Sequence, residues 1–245
     1  MSRYKLLDGT PAVRTSNVLD LIPKDLKGWA SGVGLEMAYD HVTRKGRPFI
    51  RSNIKDFKYS YKRQNERACD IGTLAHAYIE SYISGKLSVP DMSNMDKLEA
   101  DLRKNHGDDC VEIALACYKS FIDFDSNVQP QYIETEMMAV SEDYRYGGTV
   151  DCLAIIDGKE VVLDWKTSNR MYEQYDLQLA AYWNLAREVC KFDADEAWIL
   201  RFDKVNHDFY EPRYLLRNQL EGDFEIFKDL IKAYYSLEQR GLLND

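Results

Sequence analysis

Residues 148–166 read GTVDCLAIIDGKEVVLDWK, two apolar runs on either side of Asp157-Gly158, and an Asp-Gly pair in that setting is the strongest short-range signal for a two-residue β-hairpin turn. The turn fixes the register. With Ile156 opposite Lys159, counting outward puts Asp151 directly across from Asp164, Cβ atoms about 4.5–5.5 Å apart on one face. Lys166, two residues further along, shares that face. Opposed carboxylates repel, so they make a poor sheet contact but a good pair of oxygen ligands for a hard divalent cation. The alternative is a surface hairpin whose charges happen to line up. Against it, Leu153 and Ile155 lie on the Asp151 face and Val150, Cys152, Ala154 and Ile156 on the other. A strand apolar on both sides belongs inside an α/β sheet, where a carboxylate is kept only with a compensating charge.

Working outward, 245 residues with 45% hydrophobic and 30% charged side chains describe an ordinary globular chain able to bury a large core. No stretch approaches the roughly 20 apolar residues needed to span a bilayer. The opening MSRYKLLDGTPAVRTSN lacks the apolar segment of a signal peptide, so the expectation is a cytoplasmic protein, or one of a host cytoplasm if phage-encoded, with no membrane partner. Five cysteines, Cys69, Cys110, Cys117, Cys152 and Cys190, are scattered and include no CxxC pair. They read as reduced, mostly buried thiols. A net charge of −9 argues against indiscriminate coating of nucleic acid. The charge is uneven, however. Residues 44–67 carry nine basic residues against Asp56 and Glu66, a local +7, and this basic strip on an acidic body can guide a polyanion to one place.

No repeat, low-complexity tract or linker marks a domain boundary. The chain reads as a single domain over 1–245, with a helical N-terminal region at about 20–128 and an α/β core at about 129–245. The first long helix is expected to start near Pro23-Lys24, with Leu26, Trp29 and Ala30 at helical spacing. IGTLAHAYIESYISG reads as an amphipathic helix ending at Gly85, with Ile79 and Ile83 on one face and His76 and Glu80 on another. NMDKLEADLRKN and DCVEIALACYKSFIDF read as two further helices, and residues 131–140 as a strand before the hairpin. DLQLAAYWNLAREVCKF reads as a helix, 197–202 as a strand and 224–237 as a last helix. The expected fold class is α/β, a mixed central sheet flanked by helices with a helical N-terminal half.

The chemistry follows from the hairpin. Asp151 and Asp164 can hold a cation, the backbone carbonyl of Trp165 is a plausible further ligand, and Lys166 brings positive charge to where an anionic transition state would need it. GTVD, then DWK beginning thirteen positions after Asp151, then QLAAY resembles the D…(D/E)xK…QxxxY pattern of the PD-(D/E)XK nucleases. The likeness is to the RecB-like branch, which includes CRISPR-associated and mitochondrial genome maintenance exonucleases. GTLAHAYIESYISG resembles the GxxxHxxxE helix of that branch. Val150 stands where the family's name has proline.

The resemblance implies a restriction-endonuclease-like core and a metal-dependent exonuclease acting on DNA ends or single strands. It implies Mg²⁺ or Mn²⁺ held by His76, Asp151, Asp164 and Trp165, with Asp151, Asp164 and Lys166 catalytic. A lone histidine on such a helix is otherwise a structural one. Glu136, fifteen positions before Asp151, would match the acidic residue of the preceding strand, but Glu134 competes for that part. Gln178 and Tyr182 share a helix face and would hold DNA or support the site together with Glu80, or else simply flank a Leu/Ala packing face. Lys58, Tyr59, Lys62 and Arg63, with Phe49, Phe57 and Tyr61 nearby, suit stacking and phosphate contact along a single strand, or a solvated helix or loop. The helices of 94–125 would arch over the site. The cysteines do not form the set that holds an iron–sulfur cluster in some relatives, so no cluster is expected. The sequence also lacks the GxxxxGK[ST] nucleotide loop. Recombination, repair or phage genome processing, with other recombination proteins as partners, follows from the resemblance alone. The rivals are a structure-selective endonuclease for flaps or junctions, and a catalytically idle DNA-binding module of the same fold.

Overall fold

A computed structural model describes residues 3–22, 27–48, 53–90, 94–204 and 209–243. The expected helix start at Pro23-Lys24, the side chain of Trp29, and Phe49 and Arg51 of the basic strip lie outside what it describes. In chain order the elements are β1 (Val13–Arg14), α1 (Thr15–Leu19), α2 (Lys27–Thr43), α3 (Ile54–Lys58), α4 (Ser60–Leu87), α5 (Met95–His106) and α6 (Asp108–Val128). They are followed by β2 (Gln131–Ser141), β3 (Tyr146–Ile156), β4 (Lys159–Lys166), α7 (Gln174–Leu185), a π-helical turn (Ala186–Cys190), β5 (Glu196–Phe202), β6 (Tyr210–Leu216) and α8 (Arg217–Gln239).

The hairpin is built as its turn residues dictate. Asp157 and Gly158 both have positive φ, 52° and 78°, the geometry of a turn whose twist matches the strands it joins. Ile156 pairs with Lys159, and the ladder runs back to Cys152 opposite Leu163. Among the described residues six strands form one mixed sheet: β4 and β5 are parallel, β6 is antiparallel on β5, and β2 runs antiparallel along β3.

Helices cover both faces, which explains why β3 is apolar on both sides. On one face α4 and α6 pack Leu74, Ile79, Ile83, Phe121 and Phe124 against Cys152, Ala154, Leu163 and Trp165. On the other, α1, α7 and α8 pack Val18, Leu179, Trp183, Phe224 and Phe227 against Leu153, Val162 and Ile199. Trp165 is 2% exposed and meets Phe121 edge-on at 5.5 Å. The stretch Asp164–Lys166 of β4 is thereby anchored in the interior by Trp165. This is a mixed α/β sandwich of the restriction-endonuclease-like type. Among the described residues no helix is long and apolar enough to cross a membrane.

Four elements differ from the sequence expectation. The helix carrying His76 starts at Ser60 and passes through Gly85 to Leu87. Lys62, Arg63, Gln64, Glu66 and Arg67 are all good helix formers, so the basic strip extends the helix instead of preceding it. It ends where Ser88 turns left-handed (φ 57°) and Val89 N–H returns to Ser84 O at 3.1 Å. The last helix begins earlier than expected, at Arg217, and β1 and β6 are additional strands.

Candidate metal centre

A break in the sheet makes the site. Tyr146 and Gly147 of β3 pair with Ser141 and Val140 of β2 on one edge and with Val13 and Arg14 of β1 on the other. The β1 edge passes to β4 only at Cys152. Between them, the edge from Gly148 to Asp151 is paired with no strand among the described residues, and a cavity of about 500 Å³ opens there. Thr15, His76, Glu80, Glu136, Thr149, Asp151 and Tyr182 all face it.

Gly148 is required by the close approach of two elements. A Cβ there would sit 2.6 Å from Tyr182 Cε1 and 2.9 Å from Thr15 Oγ1. Tyr182 in turn accepts a 2.8 Å hydrogen bond from Gln178 Nε2 at its hydroxyl, so the pair four residues apart on α7 forms one unit at the cavity wall. Gly148→Ala should therefore push Tyr182 out of place, destabilise the fold by about 1–3 kcal/mol and reduce turnover. Chemical denaturation and a kcat measurement on the same preparation check this; wild-type values for both would show that the contact is slack.

Asp151 and Asp164 would be the next opposed pair beyond Cys152 and Leu163, but here the ladder gives way. The Trp165 N–H donates to Asp151 Oδ2 at 2.8 Å instead of to a backbone carbonyl. A carboxylate thus replaces a peptide oxygen in the sheet. Glu136 reaches the same place by a strained route: its φ is 51° in the middle of β2, a left-handed conformation that costs a side-chain-bearing residue on the order of 1–3 kcal/mol. Thr135 Oγ1 ties the kink to the Asp151 carbonyl at 3.1 Å. His76 rises from α4, with Nδ1 3.8 Å from Asp151 Oδ2.

His76, Glu136 and Asp151 each offer a ligand atom, and these atoms lie within 4.8 Å of one another. Asp164 stands behind this trio, fully buried. Lys166 Nζ is 2.5 Å from Asp164 Oδ2, yet neither oxygen receives a hydrogen bond of good geometry. The two observations agree if the ammonium balances the charge without aiming a proton at a lone pair. Buried oxygens whose close partner is a single ammonium, beside an imidazole and two more carboxylates, are a donor set that fits a hard divalent cation.

The electrostatics favour the same use. Burial, then the Lys166 charge, pushes His76 down to about 4, although 28% of its side chain remains exposed and the Trp165 backbone works the other way. At neutral pH it is an uncharged imidazole with a lone pair to give. Burial, then the charges of Asp151 and Glu80, raises Glu136. Burial also raises Asp151 and Asp164, with Lys166 opposing in both. For Lys166, burial alone would lower the pKa, but Asp164 and Asp151 overcome it and the net shift is upward. It is an ammonium, and its charge also lies 5.1 Å from the Tyr175 ring.

These directions set a pH dependence. The three carboxyls hold their protons more tightly folded than unfolded, so unfolding releases protons and the ion-free protein loses stability as pH rises from about 4 to 8. His76, lowered, contributes the opposite slope, which is confined to the interval between about 4 and its ordinary value near 6.5. Above that interval the carboxyls act alone. In EDTA the Tm should fall between pH 6.5 and 8, Mn²⁺ should restore it most at pH 8, and Glu136→Gln should flatten the fall. A wild-type Tm in EDTA that is level or rising over this range would contradict the assignment.

The other residues singled out in the sequence lie elsewhere. Tyr59 is flanked by Lys58 and Lys62, Nζ 5.3 and 5.4 Å from its ring centre. Arg63 donates to the Asp56 carbonyl at 3.0 Å. Along α4, Lys62 is roughly 20 Å from His76, so this strip is separate from the cavity. Of the two competing acids, Glu136 faces the cavity, whereas Glu134 is exposed and its charge acts on Cys190. Sequence reasoning passed over Arg3, Tyr4, Arg14 and Thr15, which also line the cavity; a two-residue strand leaves no periodic signal to find.

Residues 51–239 match the PD-(D/E)XK nuclease superfamily, and the chain belongs to that superfamily. No curated protein matches it. Among solved structures, it is similar to a candidate exonuclease from Eubacterium rectale, 15% identical over 70% of this chain and 68% of that one, TM-score 0.46. It is also similar to the protein SSO0001, 13% identical over 68% of this chain and 74% of that one, TM-score 0.35. Members of the superfamily use divalent metal ions to cut nucleic acid.

Proposed function

We propose that this nuclease is a divalent-metal-dependent deoxyribonuclease that degrades DNA from an end or along a single strand. The observation that carries the reading is the convergence of His76, Glu136 and Asp151 on one cavity, with the buried Asp164–Lys166 pair behind them. Mg²⁺ or Mn²⁺ bound there would polarise a phosphoryl oxygen and make water a better nucleophile near neutral pH.

The chain's own residues supply the rest. Neutral His76 would offer such an ion a lone pair. Asp151 is held in orientation by the Trp165 N–H, with the bonded oxygen 3.8 Å from His76 Nδ1. Lys166, kept protonated, cannot take a proton from water; its part is to donate hydrogen bonds and offset the charge that builds on the phosphate in the transition state. Gln178 and Tyr182 hold the wall against which the strand lies. The basic strip at Lys58, Tyr59, Lys62 and Arg63 guides the strand inward from a distance by phosphate and stacking contacts.

Depth favours ends over continuous duplex. Asp164 is wholly buried and Asp151 is 7% exposed, so an unpaired strand reaches them more easily than a stacked double helix. Recombination, repair or phage genome processing is the setting the family resemblance points to.

The test runs end-labelled linear and closed circular single-stranded DNA side by side with Mn²⁺, using wild type and Asp164→Ala. The expected result is shortening of the linear strand by wild type alone, with circles intact. Equal loss of label in both proteins would mean a contaminant and end the enzyme reading. Rapid cutting of circles would transfer the protein to the endonuclease reading.

A further inference from the structure

We propose that Arg3 and Arg14 form an anion subsite on the rim of the catalytic cavity, seating a nucleic-acid phosphate adjacent to the one being cut. The proposal rests on the deoxyribonuclease reading and adds a site that the superfamily match does not cover, since that match begins at residue 51.

The starting point is a charge problem. The cavity is lined by Glu80, Glu136 and Asp151 and has Asp164 behind it, while its histidine is neutral and its lysine is buried against Asp164. One divalent ion leaves such a wall still anionic, and a polyanion entering it needs further positive charge. Among the described residues, Arg3 and Arg14 are the only arginines or lysines lining this cavity, and both are exposed.

The chain holds them there by construction. Residues 3–14 double back on themselves, with Leu6 N–H bonded to Thr10 O at 2.9 Å and Ala12 N–H to Tyr4 O at 3.0 Å. The returning strand β1 docks on β3 at Tyr146 and Gly147. Gly147 allows this docking: a Cβ there would sit 2.6 Å from the Tyr4 ring. With Tyr4 flat on β3, Arg3 Nη2 donates to the Tyr4 hydroxyl at 2.8 Å and to Thr149 Oγ1, and the two hydroxyl groups are themselves 2.9 Å apart. Thr149 is two residues from Asp151 on the same strand.

Both of these bonds use Nη2. Nη1 and Nε carry no hydrogen bond among the described residues, so the guanidinium is oriented by one nitrogen and presents the others, the arrangement that suits a phosphate. Its charge is felt by Glu136, which lines the same cavity. Arg14 enters from the end of β1, where Thr15 Oγ1 donates to Gly147 O at 3.1 Å and fixes the turn into α1. Both cations are thus delivered by the N-terminal segment and β1, whereas His76 and Glu80 of the same cavity come from α4.

The phosphate can be an internal diester or a terminal monoester, and the experiment separates them. Arg3→Gln, Arg14→Gln, the double variant and Arg3→Lys are compared with wild type in two assays. The first is anisotropy binding of single-stranded oligonucleotides in EDTA across a salt series; the second is steady-state cleavage with Mn²⁺. Substrates carry a 5′-phosphate, a 3′-phosphate or hydroxyls at both ends. The expected result is a KM and a Kd raised about tenfold per arginine, with kcat within about threefold. The slope of log Kd against log salt should become shallower by about 0.7 for each charge removed. Arg3→Lys should recover only part, because a point charge lacks the planar fork. Weakening on every substrate identifies an internal phosphate; weakening only where a terminal phosphate is present identifies an end-binding subsite. Unchanged Kd and salt slope in the double variant would overturn the proposal while leaving the nuclease reading untouched, because that reading fails only if Asp164→Ala cleaves like wild type.

Discussion

Asp164→Asn should lower kcat about 10³-fold, equivalent to ~4 kcal/mol of transition-state stabilisation, and should also shrink the thermal stabilisation conferred by Mn²⁺. The substitution keeps the side chain's shape and removes its charge. Asp164 is fully buried with two oxygens that accept no well-directed hydrogen bond, so its carboxylate is kept at a cost that the fold alone does not require. It also supplies the nearest counter-charge to Lys166. Breaking one half of a buried pair leaves the other half exposed to the full desolvation cost. In EDTA at pH 7 this is offset, because burial raises Asp164 even against Lys166, so its ionised form costs the ion-free fold stability that asparagine does not, and Asp151 still acts on the ammonium; the single variant should stay within about 1 kcal/mol of wild type. The double variant Asp164→Asn/Lys166→Met should likewise fold stably in EDTA and remain inactive. Denaturation curves and cleavage assays on the three proteins check both halves. An Asp164→Asn protein that retains a tenth of wild-type kcat would remove the residue from the proposed metal centre.

Lys166→Met should cost about 10²–10³-fold in kcat with a different signature. His76, Glu136 and Asp151 are intact in this variant, so the Tm rise on adding Mn²⁺ should persist, and KM should stay close to wild type. Methionine fills much of the same volume and keeps contact with Tyr175, so the loss reports charge and hydrogen-bond donation. Because Asp164 and Asp151 hold the ammonium protonated, no general-base limb traceable to Lys166 should appear in the pH–rate profile. A variant with near-normal kcat would mean that Lys166 is there only to neutralise Asp164. Together the two variants separate ion binding from transition-state charge compensation, which a single loss of activity would not.

Much of this was legible because the turn chemistry of Asp157-Gly158 is local. Two consecutive positive-φ positions admit few residues and only one strand register, and that register holds from Ile156–Lys159 to Cys152–Leu163, one pair short of Asp151 and Asp164. The α4 face bearing His76 and Glu80 was legible for a similar reason, since the i,i+4 geometry of a helix is set by its own backbone. The choice of Glu136 over Glu134 was not. Strand alternation assigns alternate residues to the same face, and it took the left-handed kink at Glu136, pinned by Thr135, to deliver one of them to the cavity. Nor did helical periodicity show where α4 begins, because the basic strip is polar on every side and simply continues the helix.

The sequence by itself determined the hairpin, its register, the α/β alternation and the family, because each depends on short-range backbone preferences or on an ordered motif. The tertiary structure alone decided three things: that β1 and β4 leave a gap along β3, that Gly147 and Gly148 admit Tyr4 and Tyr182 into it, and that Arg3 and Arg14 end at its rim. These depend on contacts between distant parts of the chain: Thr149 meets Arg3, 146 positions away, Gly147 meets Tyr4, 143 away, and Gly148 meets Tyr182, 34 away. A chain's local propensities carry no record of which distant segment will fill a space; only the packing of the whole molecule selects it.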